Sequence, residues 1–149
     1  MGTQHRAVTQ INIVAKHYDE TLQFYRLLGL DIPEPIRQPP GACHAPANVT
    51  SGAQLEIDNE FLARIYNAAW RRPNGSSSPL LGVHVEIRDE VDAIYAKLIA
   101  AGYEARQPPY DAFWGSRFAV VADPEGNDVG LISPAHEDFR SWPPANSPI

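Results

Sequence analysis

A chain of 149 residues that is 44% hydrophobic and 20% charged has globular composition and the length of one ordinary domain with a real core. Its formal charge is −6 and, apart from the pair Arg71-Arg72, its Lys and Arg residues are scattered, which argues against nucleic-acid and membrane partners, since both need a clustered positive face. One cysteine, Cys43, excludes an internal disulfide and the multi-cysteine metal motifs, and with no apolar run near the ~20 residues of a membrane span and a polar start, MGTQHRAVTQ, the expected location is cytoplasmic.

Thr9 to Ala15 alternates, with Ile11 and Ile13 on one face and Gln10, Asn12 and Val14 on the other, which predicts a half-buried strand. Asp19 is placed to cap a following helix striped by Leu22, Phe24, Tyr25 and Leu28, and Gly29 to end it. Leu30 to Ile32 reads as a short strand cut off by Pro33 and Pro35. After a proline-rich loop, Ala53 to Ile57 is a second clear strand, with Gln54 and Glu56 alternating against Leu55 and Ile57. Phe61 to Trp70 predicts a connecting helix, with Tyr66 and Trp70 as packing or dimer-contact residues, and 71–79 (RRPNGSSSP) has the composition of a linker.

Leu81 to Ile87 is the next strand, with Val83, Val85 and Ile87 on one face and Gly82, His84 and Glu86 on the other. Asp89 or Glu90 opens a helix striped by Val91, Ile94, Tyr95 and Leu98 and closed by Gly102. Tyr103 to Arg106 predicts a short strand, then a loop carrying Tyr110, Phe113 and Trp114, large aromatics without an element face to bury against. Phe118 to Ala122 and Val129 to Ile132 flank Asp123-Pro124-Glu125-Gly126-Asn127, a tight-turn signal, so this stretch reads as a β-hairpin. Matched features recur at a near-constant offset, Ile13 with Val85, Gly29 with Gly102 and Glu56 with Gly130, so both halves read βαβββ and imply an internal duplication.

Paired βαβββ modules, the segment FYRLLGL after a first strand and the DPEGN hairpin resemble the vicinal oxygen chelate superfamily, which includes glyoxalase I, extradiol dioxygenases and the bleomycin-resistance proteins. The stretch GYEARQPPYDAFWGSRFAVVADPEGNDVGL is particularly similar to the mitomycin-binding resistance proteins. The resemblance implies an α+β fold of two βαβββ modules forming cupped mixed sheets, with a homodimer as the usual assembly. It divides the chain into a first module over 8–58, a connecting helix and linker over 59–79, a second module over 80–134 and a tail over 135–149, all one structural domain. Phe139 and Trp142 suggest that the tail docks.

The family's metalloenzymes carry ligands at four strand positions, which map here onto Gln10, Glu56, Gly82 and Gly130. Glycine has no side-chain donor, and where those enzymes read DP-x-G-N-x-x-E this chain reads DPEGNDVG. The expectation is therefore a metal-independent protein with no cofactor and no catalytic residues, binding a planar natural product or metabolite, with antibiotic sequestration as one role. Trp114, Tyr110 and Phe113 would stack the ligand, and Gln10, Asn12, Glu56, His84 and Arg117 would line or orient it. The alternative is a lyase or dioxygenase holding one divalent cation, such as Zn, Ni, Mn or Fe, on Gln10, Glu56 and His84. His5, His17, His44 and His136 share no ligand spacing and read as surface residues, and Cys43 and His44, adjacent in an extended segment, point apart.

Overall fold

The computed structural model describes residue 5 and residues 8–73 and 80–141, which form two compact units, 1–74 and 75–149. Most of the predicted linker, Trp142 and the rest of the tail lie outside the described residues.

In the first unit β1 (Gln10–Ala15) is followed by α1 (Tyr18–Leu28), β2 (His44–Pro46), β3 (Gln54–Asn59) and α2 (Glu60–Tyr66). The sheet order is β1-β3-β2, with β1 parallel and β2 antiparallel to β3. The alternation read from the sequence decides what each face does. Ile13, Ala15, Ile57 and Ala45 are buried with Leu22, Phe24, Tyr25 and Leu28 of α1, and each large side chain so buried contributes about 1.5–3 kcal/mol. Gly29 ends α1 at φ 113°, where its N–H and that of Leu30 close on Arg26 and Tyr25.

Two expectations for this unit change. The N-cap of α1 is His17, not Asp19, which sits in the first turn and complements the helix dipole from there. The predicted strand over Leu30–Ile32 is absent: Asp31 makes one isolated bridge to Asn48 and Ile36 another to His44. Pro33 and Pro35 have no N–H to continue a ladder, so the described residues of the first unit form three strands.

The second unit runs β4 (Leu81–His84), α3 (Arg88–Ala100), β5 (Ala105–Asp111), β6 (Arg117–Ala122) and β7 (Asp128–Ile132), then a 3₁₀ turn over Glu137–Phe139. Its sheet order is β4-β7-β6-β5, with β4 and β7 parallel and the other pairs antiparallel. Val91 and Leu98 of α3 are buried with Ala119, Val121, Val129 and Leu131 of the sheet. The hairpin turn is built as its sequence predicts: Asp123 accepts from the N–H groups of Glu125 and Asn127 and from Asn127 Nδ2, at 2.8–2.9 Å, and Gly126 takes φ 85°. Strand β5 differs from its expectation. It begins at Ala105 rather than Tyr103 and runs through Gln107-Pro108-Pro109-Tyr110, a stretch that reads as loop. As an edge strand β5 tolerates its prolines, at the cost of two register shifts against β6.

Candidate functional site

On the first sheet the residues that alternate away from α1 form a polar face. Asn12 stands opposite Glu56 and Gln10 opposite Gln54 across β1 and β3, and His44 of β2 stands opposite Asp58. Gln10 Nε2 donates to Asn12 Oδ1 at 2.8 Å, and Asn12 Nδ2 donates to Asp58 Oδ2 at 2.8 Å. The His44 ring lies between two acids, Nδ1 at 2.5 Å from Asp58 Oδ1 and Nε2 at 3.1 Å from Glu56 Oε1. Tyr66, on α2, donates to Asp58 Oδ2 at 3.3 Å. The side chain of Asp58 is 1% exposed, that of Glu56 12% and that of His44 26%.

Burial, with the charge of Asp58 and its hydrogen bond, pushes the Tyr66 phenol above its usual range. Tyr18, whose hydroxyl donates to the Ile57 carbonyl at 2.8 Å, is pushed far up, chiefly by burial. Gln10, Asn12 and Glu56 are thus brought onto one face by the pairing of β1 with β3. The sequence reading missed His44, Asp58 and Tyr66. His44-Ala45-Pro46 follows a proline-rich loop and is too short for alternation to reveal. Asp58 was the next residue of the period that contains Gln54 and Glu56, a signal that was there to extend. Cys43 takes no part in this face: Arg37 donates to its sulfur at 3.0 Å.

The outward face of the second sheet is apolar and aromatic. Phe118 packs edge-on against Tyr110 and Trp114, at centroid distances of 6.1 and 5.4 Å, and Phe113 against Trp114 at 5.3 Å. Gly82 and Gly130 stand opposite each other on β4 and β7. A Cβ on Gly130 would meet Leu80 at 3.0 Å and Phe118 at 3.1 Å, and one on Gly82 would meet Ile132 at 3.2 Å, so apolar side chains lean over both positions. His84 ends β4 opposite Ile132 and is exposed.

Arg117 lies on the helix side of β6, one residue out of phase with Phe118. Its guanidinium grips both oxygens of Asp92 on α3, at 3.0 and 2.8 Å, and reaches Asp111 at 3.3 Å. That hydrogen bonding holds the Asp92 carboxyl below its usual range.

The aromatic turn is clamped by the segment after β7. His136 N–H donates to the Gly115 carbonyl, Ser141 N–H to the Phe113 carbonyl, and Trp114 bridges to Arg140. Arg88 donates to the Gly115 carbonyl at 2.8 Å, pairs with Asp111, and lays its guanidinium 3.7 Å from the Phe139 ring centre. Phe113 and Trp114, with Glu137, Arg140 and Ser141, line an open cleft of about 460 Å³.

A family model described as the glyoxalase/bleomycin resistance protein/dioxygenase superfamily matches residues 7–131. The chain belongs to this superfamily. Solved structures of the same fold include a glyoxalase/bleomycin resistance protein/dioxygenase from Nocardioides, with TM-score 0.68 at 21% identity over 91% of this chain and 88% of that one. A hypothetical protein from S. aureus has TM-score 0.71 at 15% identity, over 89% and 96%. A lactoylglutathione lyase from Agrobacterium tumefaciens has TM-score 0.60 at 18% identity, over 88% and 96%. No curated protein sequence matches the chain significantly. Superfamily membership agrees with the mixed α+β architecture and its two mixed sheets. Among the described residues no helix is long and apolar enough to cross a membrane.

Proposed function

We propose that this superfamily member is a metal-independent binding protein for planar small molecules, natural products or metabolites, of the kind the mitomycin-binding resistance proteins take. The observation that carries the proposal is in the second unit. At Gly82 and Gly130, two of the four positions where the resemblance puts metal ligands, there is no side-chain donor, and Leu80, Phe118 and Ile132 cover the backbone. Next to them stand Tyr110 and Trp114, both edge-on to Phe118, and Trp114 with Phe113 lines an open cleft of about 460 Å³. Sequestration of an antibiotic, homodimeric assembly and a cytoplasmic location belong to the same proposal.

The alternative reading, a lyase or dioxygenase holding a divalent cation on Gln10, Glu56 and His84, shares its chemistry with the Agrobacterium lyase's name. It is disfavoured because Gly82 and Gly130 bring no side-chain donor to two of the four ligand positions and Glu56 Oε1 is engaged by His44. Arg117 is left out of the proposed ligand set because it lies on the helix side of β6, paired with Asp92 and Asp111.

Calorimetric titration with mitomycin and related planar quinones tests the reading. Trp114→Ala should weaken binding by roughly 2- to 10-fold, the worth of about 0.5–1.5 kcal/mol of aromatic stacking. Unchanged affinity in that variant would refute stacking on Trp114.

A further inference from the structure

The cleft beside Trp114 has walls of two origins. Phe113 and Trp114 come from the turn between β5 and β6, and Glu137, Arg140 and Ser141 from the segment after β7. That second wall is tied at both ends, where His136 N–H donates to the Gly115 carbonyl and Ser141 N–H to the Phe113 carbonyl, each at 3.0 Å. Between the ties Arg140 bridges to Trp114, and its Cγ would lie 3.0 Å from a Cβ added at Gly115. The stem of Arg140 is therefore seated on the turn, beside Trp114. The guanidinium it carries is unsaturated. Its ion-pair partner among the described residues is Glu137, whose Oε2 lies 3.3 Å from Nε, and neither Nη1 nor Nη2 makes a hydrogen bond there. The Glu137 side chain is 84% exposed and that of Arg140 54%, so water screens the pair and it holds weakly. The other two arginines of this region are committed, Arg88 to Asp111 and the Gly115 carbonyl, and Arg117 to Asp92 and Asp111.

We propose that Arg140 selects the ligand of this cleft, a planar ring system that stacks on Trp114 and carries a carboxylate. The inference rests on the stacking reading under Proposed function and deepens it by naming the class of ring system taken. A carboxylate meets a guanidinium fork in two parallel N–H···O bonds, a match that a neutral carbonyl lacks. A mostly apolar cleft with a few placed polar groups is the usual design of a small-molecule site, and here the placed group is a cation. In the empty cleft Glu137 stands where the ligand's acid would go. On binding, the ligand takes the fork and Glu137 turns into water, an exchange that costs little because its side chain is already largely solvated. Arg140 is thus a specificity-determining residue, and Glu137 a built-in competitor for it.

The test compares 2-naphthoate with 2-naphthamide, one ring system with and without the charge. Affinities come from calorimetry on the full chain, and the Trp114 indole N–H resonance reports contact. Naphthoate should bind about fivefold or more tighter than the amide, the worth of a charge-assisted pair discounted for its exposure. Added salt should shrink that preference. Arg140→Gln should bring naphthoate down to the amide and leave the amide unchanged, whereas Arg140→Lys keeps part of the preference. Glu137→Gln should tighten naphthoate alone, by about twofold. Equal affinity for the two probes, with the Trp114 signal shifted by both, would overturn selection by Arg140 and leave stacking in place. A naphthoate preference that survives Arg140→Gln would overturn it as well. If neither probe moves the Trp114 signal, stacking and selection fall together.

Discussion

Gly115 is where the aromatic turn is most exposed to a single change. Its φ is 101°, and a Cβ there would lie 2.5 Å from the His136 carbonyl oxygen and 3.0 Å from Arg140 Cγ. Gly126, at φ 85°, has nothing within 4 Å of the same added atom. Both alanine variants carry the left-handed backbone cost, about 1–2 kcal/mol. Gly115→Ala must also push the 136–141 segment away. That motion breaks the His136-to-Gly115 and Ser141-to-Phe113 backbone bonds, worth about 0.5–1.5 kcal/mol each. The sum is about 3 kcal/mol for Gly115→Ala, or a fall in Tm of about 6–12 °C for a chain this long. Urea and thermal unfolding followed by circular dichroism give the two losses, and hydrogen exchange at the Ser141 amide reports whether the clamp has opened. Equal destabilisation of the two variants, with Ser141 still protected in Gly115→Ala, would refute the clamp.

Titration at alkaline pH offers a second check. The folded-state phenols of Tyr18 and Tyr66 are raised by burial first, so their contribution is complete below the ordinary value near 10. Stability should decline as pH rises beyond that value, because the unfolded chain then loses protons that the folded one keeps. Phenolate absorbance should show a late-ionising group that Tyr18→Phe removes, and a titration identical in the two proteins would contradict its burial. At the acid end Asp92, lowered chiefly by its hydrogen bonds from Arg117, contributes above its ordinary carboxylate range. That contribution is lost as pH falls through the depressed folded value. Because the pair is half exposed, Asp92→Asn should cost only about 0.5–1 kcal/mol at neutral pH. It should cost nothing measurable in strong acid, and unfolding midpoints at both pH values decide the matter.

The parts of this structure that local chemistry dictates were legible in the sequence. Alternation located β1 and β3 and grouped Gln10 with Asn12 and Gln54 with Glu56, and the parallel pairing of the two strands sets both rows on one face. Glycines past the helix ends and the Asp-Pro-Glu-Gly-Asn turn marked where the chain reverses. What stayed hidden depends on partners distant in sequence. Nothing near His44 reveals that it pairs with Asp58 fourteen residues on, because β2 is three residues long and exists by bridging β3. Pro108 and Pro109 read as loop until their strand is known to be an edge. Arg117 follows a loop of aromatics and invited a ligand role, yet its parity puts it on the helix side, against Asp92.

The most direct test of metal independence is elemental analysis of the protein purified without chelator, paired with thermal-shift scans against zinc, nickel, manganese and iron. The account predicts metal far below one ion per chain and melting temperatures that added ions leave in place. One bound ion per chain, or a large metal-induced stabilisation that Glu56→Ala abolishes, would contradict it and make Gln10, Glu56 and His84 the residues to examine as ligands.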